Sequence, residues 1–284
     1  MTCVKTDCIR SEETVTPVRV LLIEPFMNQP SAIFDISDRV VLVTGGSSGL
    51  GLQMVRTLVR EGAKVVSVAR SHDLAICDDV TARAGDANQP VFVSADIISQ
   101  ADIERAFNVA EMKFGLVTVL FNNAGVSEKK RASEIDRESW REIMSINVDG
   151  QFFVAQEAAR RMIAAKSGGS IVNTTSILAE SLLRGTAAYA TSKAAVAQMT
   201  RVLALEWASH KIRVNALAPG WFPTRMNQEI LSSSGGDFIR GQNPLRRFGQ
   251  EGDLDGVVLL LASDASRYMT GSVLTVDGGH SLVS

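Results

Sequence analysis

The chain has 284 residues, 45% of them hydrophobic and 21% charged, with a net charge of −2, the profile of one large soluble α/β domain with a substantial core. That balance offers no basic surface for nucleic acid or an anionic membrane, and no apolar run approaches the roughly 20 residues that span a bilayer. Three cysteines, Cys3, Cys8 and Cys77, form no CxxC pair, and with three histidines they leave little from which to build a disulfide framework or a metal site, which suits a reducing, cytoplasmic compartment.

Residues 1–36 read as an N-terminal extension outside the main fold. Its apolar core, Val20 to Ile23, is shorter than a secretory h-region, Glu12, Glu13 and Glu24 surround it, and Met27 leaves a later start open. From residue 37 to 284, short β-branched runs alternate with amphipathic stretches. Strands are expected at 39–45, 63–70, 90–96, 117–125, 170–176, 212–220 and 272–279. They are almost continuously apolar, as strands covered on both faces must be. Helices are expected at 50–60, 102–114, 133–165, 187–210 and 254–262. Strand then helix, repeated, means right-handed βαβ units and a single doubly wound α/β domain with a seven-stranded parallel sheet. Two segments break the rhythm, 177–186 and 221–249, the second with a flexible "SSSGG". Both leave the carboxyl ends of strands, where ligands bind in open α/β sheets, so they are the candidate substrate lid.

"TGGSSGLG" (44–51) follows the first strand and opens the first helix. Gly45, Gly49 and Gly51 permit a tight turn and a close backbone approach, and Ser47, Ser48 and Leu50 complete a loop whose N–H groups and helix dipole suit a pyrophosphate. "NNAG" stands at 122–125, and "YATSK" places Tyr189 and Lys193 one helical turn apart. TGxxxGxG, NNAG and YxxxK, in this order and at these distances, resemble the short-chain dehydrogenase/reductase family from about residue 36 onward.

The resemblance implies a Rossmann-like fold and a nicotinamide cofactor. Ala69 stands where NAD-dependent members carry Asp, and Arg70 follows it. A guanidinium there would grip a 2′-phosphate, so NADP(H) is expected over NAD(H), although Ser48 replaces the basic residue many NADP-using relatives carry. Arg70 as a solvated loop residue is the plain alternative. Asp96 and Ile97 match the adenine-contacting pair, Asp96 being equally readable as a helix N-cap. Asn123, Ala124 and Gly125 would pass the cofactor ribose, with Asn122 and Asn123 otherwise fastening strand four. Pro219, Gly220, Phe222 and Thr224, in "APGWFPT", match the segment that holds the nicotinamide carboxamide.

Asn147, Ser176, Tyr189 and Lys193 reproduce the family's catalytic tetrad. Each has a bland reading: a helix-bending polar residue, a helix cap, a half-buried aromatic. As a set they imply hydride transfer between nicotinamide and a carbonyl or secondary alcohol. Tyr189 would be general acid or base, its pKa drawn down from about 10 by the Lys193 charge. Ser176 would orient the substrate oxygen, and Asn147 would hold a water that returns protons to Lys193. Ser176, Leu178, Tyr189 and Trp221 are the expected substrate contacts. Leu182 and Leu183 would extend an apolar wall, and Arg184, Arg225, Arg240, Arg246 and Arg247 are either anion receptors or solvated surface. A small-molecule substrate follows, with a 3-oxoacyl thioester placed first. The alternatives are a sugar acid or polyol, or a catalytically silent nucleotide binder. An enoyl reductase fits less well, since those relatives space tyrosine and lysine more widely. The resemblance also implies a homotetramer, with the C-terminal segment near a subunit interface.

Overall fold

The computed structural model describes residues 32–283 apart from 86 and 87. The expected extension lies, up to residue 31, outside the described residues. The seven strands are β1 (Val40–Thr44), β2 (Lys64–Ala69), β3 (Val91–Ser94), β4 (Val119–Asn122), β5 (Gly169–Thr174), β6 (Ile212–Pro219) and β7 (Val273–Val276). They form one parallel sheet in the order β3-β2-β1-β4-β5-β6-β7. The order reverses between β1 and β4, which opens a crevice at their carboxyl ends.

Every residue of β1 and β4 is buried, as the unbroken apolar runs require. The edge strands β3 and β7 keep only partial cover. One face of the sheet packs on α3 (Gln100–Phe114), α5 (Gln151–Ala165) and α6 (Ala187–Trp207) through Phe107, Val154, Met162 and Leu203. The other packs on α1 (Gly49–Arg60), α2 (Leu74–Ala82) and α9 (Asp255–Ala262) through Val55, Leu58, Val80 and Leu261.

Three segments differ from the sequence expectation. The stretch 133–165 is not one helix: α4 (Arg137–Met144) starts only where Asp136 caps it by accepting from Ser139 N at 2.8 Å, and a π-helical turn, Ser145–Gly150, separates it from α5. A π turn sets residues off the ordinary helical face and is common at functional sites. Here it turns Asn147 inward to bond both backbone groups of Val126. The "SSSGG" run is a helix start, not a flexible break. It separates α7 (Gln228–Leu231) from α8 (Ser234–Gln242), Ser233 accepts from Gly235 N, and a Cβ on Gly236 would fall 2.1 Å from the Leu231 carbonyl oxygen. And α2 was not expected, although Asp73 caps it by accepting from Ala75 N at 2.9 Å.

Gly51 has a packing duty. A Cβ there would lie 2.1 Å from the Gly45 carbonyl oxygen and 2.5 Å from Asn123 Nδ2, so α1 reaches the turn only without a side chain. Gly51→Ala should therefore lower stability by about 1–3 kcal/mol, the usual cost of overpacking, and weaken the turn. Ser48→Ala should leave stability nearly unchanged, because Ser48 makes no side-chain cap bond. Urea denaturation of both variants checks this.

Candidate active site

A cleft of about 920 Å³ opens at the carboxyl edge of β1 through β6. At its centre Gly45 and Gly49 have φ of +68° and +54°, the left-handed region that favours glycine. Ser47, Ser48, Gly49 and Leu50 line the cleft, whereas Gly51 lies beneath, closing the turn. Thr44 ties this turn to the loop after β4: its hydroxyl accepts from Asn123 N at 2.9 Å and Ala124 N at 3.0 Å. Asn123, Ala124 and Gly125 line the cleft, while Asn122 serves as a fastener, donating to Gln151 O and Asn173 Oδ1. Because Ser48 leaves the first turn of α1 uncapped by a side chain, its free N–H groups are available to an anion. The glycine cradle and those N–H groups fit a dinucleotide pyrophosphate.

Arg70, exposed, extends the cleft beyond β2, with Asp96 and Ile97 beside it. Asp96 is not the cap of α3. Ser99 is, accepting from Asp102 N at 3.3 Å, while the Asp96 carboxylate accepts from Ile98 N. Sequence reasoning missed Ser71, His72 and Asp73, which line the same end. His72 sits edge-on to Phe92 at 5.4 Å and places Nε2 3.3 Å from Ser67 Oγ. Its burial pushes the imidazole pKa down, which favours the neutral ring. The signal for this loop was the Asp73 cap, visible only once α2 is recognised.

The reacting centre forms where β5 meets α6. Lys193 is 3% exposed and donates from Nζ to Thr174 O at 2.8 Å. The Thr175 hydroxyl donates to Lys193 O at 2.8 Å, fixing the helix against the strand end. The ammonium stands 5.7 Å from the centre of the Tyr189 ring. Ser176, just past β5, caps a short 3-10 turn by accepting from Leu178 N at 3.2 Å, and its hydroxyl also faces the Tyr189 phenol. Asn147, fully buried, donates to Ser192 Oγ at 2.9 Å, and Ser192 in turn donates to Tyr189 O at 2.7 Å. The π turn is thereby clasped to the helix carrying Tyr189 and Lys193. Ser192, inside "YATSK", was not singled out from sequence.

The electrostatics differ from expectation. Burial pushes the Tyr189 phenol up, and the Ser176 hydroxyl pulls it only partly back. Lys193 is itself lowered to about 8 by burial. The arrangement brings a phenol, an ammonium and a hydroxyl together on the cleft wall, able to exchange one proton with a bound oxygen.

A family model described as enoyl-(acyl carrier protein) reductase matches residues 45–281. Gluconate 5-dehydrogenase from Gluconobacter oxydans is 35% identical over 256 residues, covering 89% of this chain and 98% of that one. The chain belongs to the short-chain dehydrogenase/reductase family. Like its relatives it is an oxidoreductase that uses a nicotinamide cofactor and a small-molecule substrate. An NAD-dependent glycerol dehydrogenase from Listeria innocua is 35% identical over 251 residues, covering 88% of this chain and 96% of that one. A gluconate 5-dehydrogenase from Burkholderia cenocepacia, solved in complex with NADP and tartrate, superposes with a TM-score of 0.82 at 32% identity, covering 89% of this chain and 98% of that one.

As in the family pattern, Pro219, Gly220, Phe222 and Thr224 line the cleft; Phe222 is also a core residue, 3% exposed, with its ring against Gly249. Of the expected substrate contacts, Ser176 and Tyr189 line the cleft. Leu178 and Trp221 lie outside the cleft lining, the indole of Trp221 meeting the His280 ring edge-on at 6.2 Å. Leu182 is 91% exposed, and Leu183 also faces solvent. Val126, Ile146 and Met226 take that place. Among the arginines, Arg240 pairs with Asp237, Arg247 with Asp253, and Arg246 donates to the Gly241 carbonyl; Arg184 is exposed, and only Arg225 reaches the cleft.

The lowered Lys193 carries a stability cost. Between pH 8 and 10.5 the native state binds fewer protons than the unfolded chain, so this group's contribution to stability rises with pH across that window. Below pH 8 both states are protonated and the full penalty stands, about 3 kcal/mol. Lys193→Met should therefore raise stability by about 1–3 kcal/mol at pH 7 and add little above pH 10, while abolishing turnover. Urea titrations at both pH values check the sign.

Proposed function

We propose that this enzyme transfers a hydride between NADP(H) and a secondary alcohol or carbonyl of a polyhydroxylated substrate, a sugar acid or polyol, using Asn147, Ser176, Tyr189 and Lys193. The observation that carries this reading is the convergence of Ser176, Tyr189 and Lys193 on one wall of a cleft whose far end is built from the glycine turn and Arg70, with Asn147 buried behind them on Ser192. The nicotinamide supplies or accepts the hydride. Tyr189 gives its phenolic proton to the substrate oxygen in reduction and takes it back in oxidation. Because burial holds that phenol high, the proton sits on Tyr189 at neutral pH, the form needed to reduce. The positive charge of Lys193, confined in a poorly solvated corner, favours tyrosinate as the proton leaves. Lys193 also offers its ammonium to the nicotinamide ribose. Ser176 donates to the same substrate oxygen and orients it. Asn147, fastened to Val126 and Ser192, positions the helix and the proton path behind Lys193.

The 3-oxoacyl thioester expected first gives way to the second reading. The relatives named above are dehydrogenases of gluconate or glycerol, and Leu178, Leu182 and Trp221 stand outside the cleft lining, which disfavours an acyl chain. The four-residue step from Tyr189 to Lys193 likewise suits carbonyl chemistry better than the reduction of a carbon–carbon double bond. NADP(H) is favoured by Ala69 and Arg70 and by the NADP bound to the Burkholderia relative, whereas the Listeria relative is NAD-dependent.

We further propose that residues 37–284 form the catalytic domain with a lid at 221–249, that the enzyme is cytoplasmic, as its cysteine usage suggests, and that it assembles as a homotetramer. The exposed apolar side chains Phe153, Val202 and Leu205 on α5 and α6 support assembly. No helix among the described residues is long and apolar enough to cross a membrane.

Steady-state assays with gluconate, glycerol and a 3-oxoacyl thioester, each with both cofactors, test the substrate class; turnover of the thioester alone would overturn it. Tyr189→Phe should cost at least about a hundredfold in kcat with cofactor affinity unchanged. Arg70→Ala should weaken NADPH about tenfold to a hundredfold and leave NADH nearly untouched; equal loss of both would show that Arg70 does not read the 2′-phosphate.

A further inference from the structure

The lid carries four arginines, and three are already engaged: Arg240 with Asp237, Arg247 with Asp253, and Arg246 with the Gly241 carbonyl. Arg225 makes no hydrogen bond or ion pair with any described residue, yet it lines the cofactor cleft. The turn that presents it is rigidly built. Phe222, 3% exposed, anchors the start of the turn in the core. The Asn227 side chain closes it, accepting from Thr224 N at 2.8 Å and from the Thr224 hydroxyl at 3.2 Å while donating to Phe222 O at 2.8 Å. These bonds fix the backbone from which Arg225 projects, so binding has the side chain to order but not the turn.

What it faces follows from its neighbour. A Cβ on Gly49 would lie 3.3 Å from the Thr224 methyl, so this turn rests against the first residue of α1. There the helix presents N–H groups that no side chain caps, the natural seat of a diphosphate. Arg225 comes one residue after Thr224 and lines the same cleft as Ser48 and Gly49. We infer that Arg225 is a further cofactor-binding residue, gripping the diphosphate of the nicotinamide dinucleotide from the lid while the glycine turn and α1 hold it from below.

The guanidinium fork suits two non-bridging phosphate oxygens. The contact is blind to the 2′-phosphate, so it serves NADPH and NADH alike, in contrast to Arg70. It also makes the lid sensitive to the cofactor: the segment that would cover the substrate is held down at its first turn by an anion the cofactor brings. A carboxylate on the substrate is the competing occupant. The contact of Thr224 with Gly49 favours the diphosphate, because it draws Arg225 toward the phosphate turn.

This inference rests on the cofactor reading, and the test separates the two. Dissociation constants for NADPH and NADH are measured by fluorescence titration on the full chain, for the wild type, Arg70→Ala, Arg225→Gln and Arg225→Lys, at low and high salt. Arg225 is exposed, so its variants should fold normally, and thermal melts confirm it. Arg225→Gln should weaken both dinucleotides equally, by about tenfold for one charge-assisted contact near the surface, and flatten the salt dependence. Arg225→Lys should recover part of the loss. Limited proteolysis supplies a second readout: cofactor at saturating concentration should protect the lid in the wild type and less so in Arg225→Gln. Unchanged affinity for both dinucleotides would overturn the inference, and if KM for a carboxylate substrate rose at the same time the residue would be a substrate receptor. Loss confined to NADPH would overturn it as well. A wild-type chain binding neither dinucleotide would instead bring down the cofactor reading itself.

Discussion

Where a parallel strand ends, its last peptide groups run out of strand partners, and in a dry interior each must find another or cost stability. The carboxyl edge of this sheet meets that constraint with backbone bonds such as Gly45 N to Val68 O and Thr175 N to Leu217 O, and with side chains. Thr44 serves Asn123 N and Ala124 N, Lys193 takes the Thr174 carbonyl, Thr175 returns a bond to Lys193 O, and Asn147 takes both backbone groups of Val126. Two of the residues that keep the sheet's edge satisfied, Lys193 and Asn147, also belong to the proposed catalytic set.

That overlap explains the tension at the reacting centre. Lys193 sits where an ammonium is poorly solvated, and its pKa falls to about 8; Tyr189 sits where a phenolate is poorly solvated, and its pKa rises. Both neutral forms are favoured by the same burial. A strained electrostatic arrangement of this kind persists only because the surrounding bonds hold it, and those bonds come from three elements at once: the end of β5, the π turn and α6. The π turn is the least replaceable of them. A regular helix through 145–150 would not bring the Asn147 amide to Val126 and Ser192 together.

The lid is fastened at both ends and also at Asn243, which donates to Asp277 O at 2.8 Å. Phe222 holds its start in the core. Beyond its end, Asp255 accepts from Thr57 at 2.6 Å and from Arg60 at 2.8 Å, while Arg56 reaches Glu251 at 3.1 Å. The second anchor grips α1, the helix that opens at the glycine turn. The exposed leucines of 177–186 stand apart from this arrangement, which is why the cleft near the reacting centre is edged by Val126, Ile146 and Met226 instead.

How much of this was legible beforehand follows from what each feature depends on. The seven strands, the glycine turn and the Asn147–Ser176–Tyr189–Lys193 set stood in the sequence because they rest on local requirements: unbroken apolar runs for doubly covered strands, φ values open to Gly45 and Gly49, and reactive side chains at motif spacing. Features that depend on contact between distant segments were not legible. The π turn arises because Asn147 must answer Val126, twenty-one residues away. The helical start in "SSSGG" arises because Gly236 can lie on the Leu231 backbone. Trp221 left the cleft for His280, 59 residues on, and the fate of each lid arginine was settled by which carboxylate or carbonyl the folded lid brought near it. The sequence by itself determined the sheet, the cradle and the reactive groups. Only the tertiary structure decided their pKa directions, the boundary of the cleft and the one lid cation left free, because solvation and charge pairing are properties of space, not of spacing.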